Sequence, residues 1–166
     1  MQFRPLFPHL GPFVQNRSRN ILTLIAAAAM PLLAVPATGE TGGVDVVVQI
    51  TNLRNTHGTV MACMTSDEDH FPRCRDDATS HRVTVPAAES LVLRFHNVEP
   101  GTYAIALLHD ENNNGRSDRA LSMIPREGFG FSRDAVVRMG PPSFADAAIT
   151  VGASSLRQTI RMRYML

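Results

Sequence analysis

The stretch TYAIALLHDENNNGRSD, residues 102–118, decides how the rest of the chain is read. Its first half is a strand pattern, because Tyr103, Ile105, Leu107 and His109 share one face of an extended backbone. His109 falls in phase with the apolar residues, at the rim of the core, and is expected to brace the adjoining loop through a hydrogen bond. The second half gives up the alternation for oxygen-bearing side chains at Asp110, Asn112, Asn114 and Asp118, with Gly115 at the tight point. Alternate hard oxygens around a glycine make the first half of a calcium loop, where carboxylates and amides turn toward one cation. Such a loop takes a bidentate carboxylate at its twelfth position, and counted from Asp110 that residue is Leu121. Glu127 is the residue expected to complete the shell in its place. The same loop also suits a purely structural turn, whose Asx side chains bond their own backbone while Gly115 supplies a positive φ. Asp110, Asn112, Asn114, Asp118 and Glu127 are thus either ligands of Ca2+ or parts of a self-capped turn.

Upstream and downstream of this stretch the pattern is that of short strands. VDVVVQI at 44–50 and GTVMACMT at 58–65 are dense in β-formers and are read as partners in a hairpin. HRVTVP at 81–86 and LVLRFHNV at 91–98 alternate, the latter setting Leu91, Leu93 and Phe95 against Arg94 and His96. Glu99, Pro100 and Gly101 form the turn into 102–109. Two more strands are read near 146–151 and 155–165; in the last, Leu156, Ile160, Met162 and Tyr164 oppose Arg157, Arg161 and Arg163. The arginines fit an outer strand protected against edge pairing. Between Ala120 and Phe144 lies a long Gly/Pro-rich excursion too apolar for an open linker and too broken for a helix. It is expected to cap one end of the sheet, with Phe129, Phe131 and His109 as a candidate ligand rim. About seven strands separated by turns, with no competing amphipathic helix, predict an all-β antiparallel sandwich.

The first 37 residues stand apart. Arg4, Arg17 and Arg19 precede the apolar run ILTLIAAAAMPLLAV at 21–35, with no acidic residue before it. A membrane span takes about 20 apolar residues, so this shorter run fits a secretory signal. Val35 and Ala37 place the cut after Ala37. The organisation is therefore a signal peptide at 1–37, a flexible lead-in at 38–43 and a β-domain at 44–166, periplasmic or secreted. After the cut, 13 arginines face 15 acidic residues, and the chain has no lysine. The arginines are scattered singly along the strands, which argues against a nucleic-acid surface. In an exporting context Cys63 and Cys74 read as a disulfide closing a short loop. His70 and the carboxylates of SDEDHFP at 66–72 lie inside that loop and read as a solvated acidic turn.

No nucleophile elbow, phosphate-cradling glycine loop or HExxH zinc pair occurs in the chain. The expectation is a non-catalytic exported module serving an envelope or extracellular ligand, protein or glycan. The alternative is a small periplasmic hydrolase or carbohydrate-processing enzyme that divides acid and base roles between carboxylates near Asp110 and Glu127.

The segment GTYAIALLHDENNNGRSDRALSMIPREGFGFS at 101–132, followed by GPPSFADAAITV at 140–151, resembles an uncharacterised family of exported bacterial proteins, domain of unknown function 2141. The likeness covers about residues 44–165. It implies a small periplasmic or secreted β-sandwich of immunoglobulin-like or transthyretin-like character, with no assigned reaction. His109, Asp110, Asn112, Asn114, Gly115, Asp118, Pro125, Glu127, Gly128, Gly130 and Phe131 fall on that family's marked positions. Arg126 and Phe129 stand where its members often carry Lys and Tyr.

Overall fold

The computed structural model describes residues 42–74, 76–120 and 124–166. The expected signal peptide at 1–37 lies outside the described residues. Among those described, no helix is long and apolar enough to cross a membrane.

All seven expected strands form: β1 (Val44–Thr51), β2 (Thr59–Thr65), β3 (His81–Pro86), β4 (Leu91–Val98), β5 (Gly101–Asp110) and, after the excursion, two more. The excursion adds three short ones, β6 (Arg119–Ala120), β7 (Ile124–Pro125) and β8 (Gly128–Phe131), then a 3-10 turn at Ser132–Asp134 and a one-turn helix α1 (Phe144–Ala147). The last two strands are β9 (Ile149–Val151) and β10 (Leu156–Arg161). One sheet runs β10-β1-β4; the other runs β3-β2-β5-β8, with β9 beside the start of β5. The main core lies between them, where Val46, Val48 and Ile50 of β1 and Leu91, Leu93 and Phe95 of β4 meet Val60, Met64, Ile105 and Leu107 of the other sheet. The fold is an all-β sandwich.

Three details differ from expectation. First, β1 and β2 do not form a hairpin: β1 pairs with β4 and β10, and β2 with β3 and β5. The connection 52–58 crosses between sheets instead, with Asn52 at φ 63 donating its side-chain amide to the Met162 carbonyl at 2.7 Å. Second, the sandwich is not wholly antiparallel, because β10 runs parallel to β1, with Val46 beside Leu156 and Ile50 beside Ile160. Third, the excursion is not only a cap. Its GFGF segment is a sheet strand, pairing Ala106 with Phe131 and His109 with Gly128.

All four residues of β8 are buried. The glycines permit close approach on the inner face: a Cβ on Gly130 would come within 2.8 Å of Ile160, and one on Gly128 within 2.4 Å of the Tyr164 ring. The phenylalanines face the other way. There, Ala104, Ala106, Phe129, Phe131, Ala135 and Ala147 form a second core, covered in part by Phe71, Val137 and Phe144. Strand β5 is therefore buried on both faces from Ala104 to Leu107, which accounts for its small alanines on one side. Past β10, Arg163 exchanges two backbone hydrogen bonds with Phe129, at 3.0 and 2.8 Å, and links the two sheets along that edge.

Cys63 and Cys74 are joined in a disulfide, with their Cα atoms 6.2 Å apart. Within the loop they close, His70 is paired with Asp67 at 2.8 Å, and Phe71 rests edge-on against Phe131 and Phe144 at 5.9 and 6.0 Å. Beyond the bridge, hydrogen bonds from the Thr65 and Thr79 hydroxyls hold the buried Asp77 carboxyl down at about 2.

Candidate functional site

Strand β5 ends with two buried polar residues that serve different layers. His109 is 0% exposed and sits at the inner end of the sandwich. One ring nitrogen, Nε2, lies 2.8 Å from the His57 carbonyl, which can only accept, so Nε2–H donates. The other nitrogen then accepts from the Tyr164 hydroxyl at 2.8 Å. Tyr164 in turn accepts the Arg54 backbone N–H at 3.2 Å and carries the Arg54 guanidinium 4.6 Å above its ring. Arg54 makes a two-point ion pair with Glu111, one arm at 2.9 Å. That pairing, followed by an amide from Asn55, holds the Glu111 carboxyl below its ordinary value. His109 is thus buried rather than at the rim, and it reaches the adjoining loop only indirectly, through Tyr164, Arg54 and Glu111. Replacing His109 with Leu should cost about 2 kcal/mol, because the part-buried His57 carbonyl and Tyr164 hydroxyl lose their partner on the ring. Urea denaturation of the variant measures it.

Asp110 points the other way and organises the loop. Its Oδ1 accepts the Asn114 N–H at 3.1 Å and its Oδ2 the Gly115 N–H at 2.7 Å, with Gly115 at φ 71. Asn112 Oδ1 also accepts the Asn114 N–H at 3.0 Å, and Asn114 Oδ1 accepts the Arg116 N–H at 2.8 Å. These are Asx turns in series. The side-chain nitrogens of Asn112 and Asn114 both donate to Asp118 Oδ2 at 2.9 Å, so Asp110, Asn112, Asn114 and Asp118 are drawn into one knot.

Glu127 closes the knot from the far side of the β6–β7 hairpin. Its Oε2 accepts the Asp118 N–H at 3.1 Å, and the Asp118 carbonyl accepts the Arg126 N–H at 3.0 Å. Glu127 is only 4% exposed, and among the described residues its Oε1 has no hydrogen-bond partner. Burial, then the nearby Asp110 and Asp118 carboxylates and a hydrogen bond shared with the Asp110 carboxyl, push its carboxyl up to about 7 against the opposing Asp118 hydrogen bond. All five residues expected to act together are therefore brought together. Among the described residues, no three His, Cys, Asp or Glu side chains converge tightly enough to hold a metal by themselves. Any cation here has to draw on amide and main-chain oxygens as well.

Beside the knot opens a cleft of about 400 Å³, lined by Arg54, Glu111, Asn112, Asp118, Arg126 and Glu127. Phe129, Phe131 and His109, the expected rim residues, are not among its lining. The two phenylalanines are packed into the second core, and His109 is sealed inside the first.

Fold and site together define a small all-β sandwich with a carboxylate-and-amide loop at the end of its central strand. A family model described as an uncharacterised protein conserved in bacteria, DUF2141, matches residues 48–159, and the chain belongs to that family. Neither a curated protein nor a solved structure matches the chain.

Proposed function

We propose that this chain is a non-catalytic exported module, an immunoglobulin-like or transthyretin-like sandwich, whose 110–118 loop takes Ca2+. It works in the periplasm or outside the cell on an envelope or extracellular ligand. Glu127 stands in for the ligand that Leu121 cannot supply. The observation that carries this reading is the unpartnered Oε1 of Glu127, buried beside two other carboxylates. Once the carboxyl is ionised, a buried oxygen without a partner costs on the order of 1–3 kcal/mol, and a hard cation drawing on amide and main-chain oxygens as well would supply one. Asp110 supports the reading too. Its bonds to Asn114 and Gly115 fold the loop back on itself, and Asn112 and Asn114 meet at Asp118 Oδ2. Asn112 Oδ1 and Asn114 Oδ1 each accept one backbone N–H and keep a lone pair for a cation, and the Arg116 carbonyl fills the seventh position of such a loop.

The hydrolytic alternative finds one favourable feature, a Glu carboxyl near 7 beside an Asp. Against it, Asp110 and Glu127 are 1% and 4% exposed, and both Asp110 oxygens are engaged by backbone N–H groups. Asp110 has no free oxygen for a scissile bond, and Glu127 meets the cleft with little of its surface.

The test is a thermal melt of the purified protein in chelator and across a calcium titration. The melting temperature should rise and saturate with calcium, and Asp110→Asn should abolish most of the rise. A melt that calcium leaves unmoved returns the loop to a self-capped turn.

A further inference from the structure

The fold gathers on one surface arginines that are scattered in sequence. On the outer face of the β10-β1-β4 sheet, register places Arg157 of β10 and Arg94 of β4 on either side of Val47, with Thr159, Gln49 and Val92 in the next row and Arg161 beyond. Val47 is 5% exposed although it belongs to neither core. Its registered neighbours on that face are the two arginines, whose aliphatic stems are long enough to cover it. Both arginines are exposed and flank this one valine. Among the described residues, none of Arg94, Arg157 and Arg161 forms an ion pair; Asp45 on this face is bound to His96 at 3.0 Å, and Asp134, whose Oδ1 accepts the Arg161 backbone N–H at 3.2 Å, pairs with Arg163. Like charges held together without a counter-ion are a device for gripping an anion, and guanidinium forks suit carboxylate and phosphate geometry.

We propose that this sheet face docks an acidic polysaccharide, with Arg94 and Arg157 clasping one anionic group across Val47 and Arg161 meeting the next. Strands of 8, 8 and 6 residues present a flat footprint of roughly 350 Å². That is well short of the about 800 Å² per partner of a stable protein interface. The face exposes a single ring, His96, tied to Asp45 at 3.0 Å, where base stacking takes several, and Val92 is its one exposed large apolar group, too little to anchor in a bilayer. Arg157 and Arg161 are about 13 Å apart along the strand, a spacing for anions carried on a repeating chain rather than for densely packed phosphates. The surface is independent of the calcium loop, so it stands or falls separately.

The experiment measures binding of the purified protein to immobilised polygalacturonate, in chelator, with neutral dextran as reference. Binding should exceed that to dextran, weaken with salt, and fall at least tenfold in the Arg94→Gln/Arg157→Gln variant, which keeps most of each stem over Val47. Arg138→Gln, an exposed arginine in the loop before Pro141, should bind as the parent does. Should the double variant melt early, Arg157→Gln alone on the edge strand carries the comparison. Equal binding to dextran, an unmoved variant, or an Arg138→Gln loss as large as that of the double variant overturns the proposal. Tighter binding to duplex DNA or to anionic phospholipid vesicles overturns it in favour of those ligands.

Discussion

At pH 8 in chelator, Glu127→Gln is expected to melt above the parent protein, and in saturating calcium below it. The sign comes from where the carboxyl titrates. Its folded value of about 7 lies above the ordinary 4.5. A carboxyl raised in this way contributes stability that is fully present below 4.5 and lost as pH rises through about 7. At pH 8 the parent therefore holds a buried, ionised carboxylate beside Asp110 and Asp118, and the neutral amide relieves it. Relief should raise the melting temperature by on the order of 5 °C, and the gain should vanish below about pH 5. With calcium the balance inverts. A cation at a hundredfold excess over its Kd stabilises by about 2.7 kcal/mol, most of which the Gln variant forfeits. Calorimetric melts of both proteins, with and without calcium, read the crossing directly. A shift of the same sign in both conditions means that Glu127 is merely a buried acid and not a ligand.

Removal of the disulfide is the second large effect. Cys63→Ser with Cys74→Ser should lower unfolding free energy by about 3 kcal/mol on the chain-entropy account. The loop it closes also sets Phe71 on the second core, against Phe131 and Phe144, so that layer should loosen with it. Urea denaturation gives the free energy, and hydrogen exchange at Ala104 and Ala106 tests the layer. If neither moves, the buried Thr65–Asp77 hydrogen bond holds the loop unaided.

The strands of this protein are legible because each of the seven expected ones carries its own pattern of apolar and polar residues. Their partners are not legible. Nothing within VDVVVQI says that its neighbours are 91–98 and 156–161 rather than 59–65, since those choices are made by contacts across the whole core. GFGF at 128–131 escapes a periodic reading because it is buried on both faces, with glycine where Ile160 and Tyr164 approach and phenylalanine where the second core lies. The loop residues could be named by counting, as calcium-loop spacing is local. Glu127 was reachable only by asking which oxygen was missing. The Arg54–Tyr164–His109 support left no local signal, its partners being 55 and 110 residues apart.

The parallel pairing of β1 with β10 also has a bearing on how the chain is made. Strand β1, rich in valine, needs a neighbour about 110 residues downstream before both its sides are satisfied. Until then it offers a sticky, half-paired edge of the kind that seeds aggregation, and such long-range closure is slow. During biogenesis, Val44–Thr51 is accordingly the segment with most need of a holding chaperone, and β10 is the strand whose arrival ends that need.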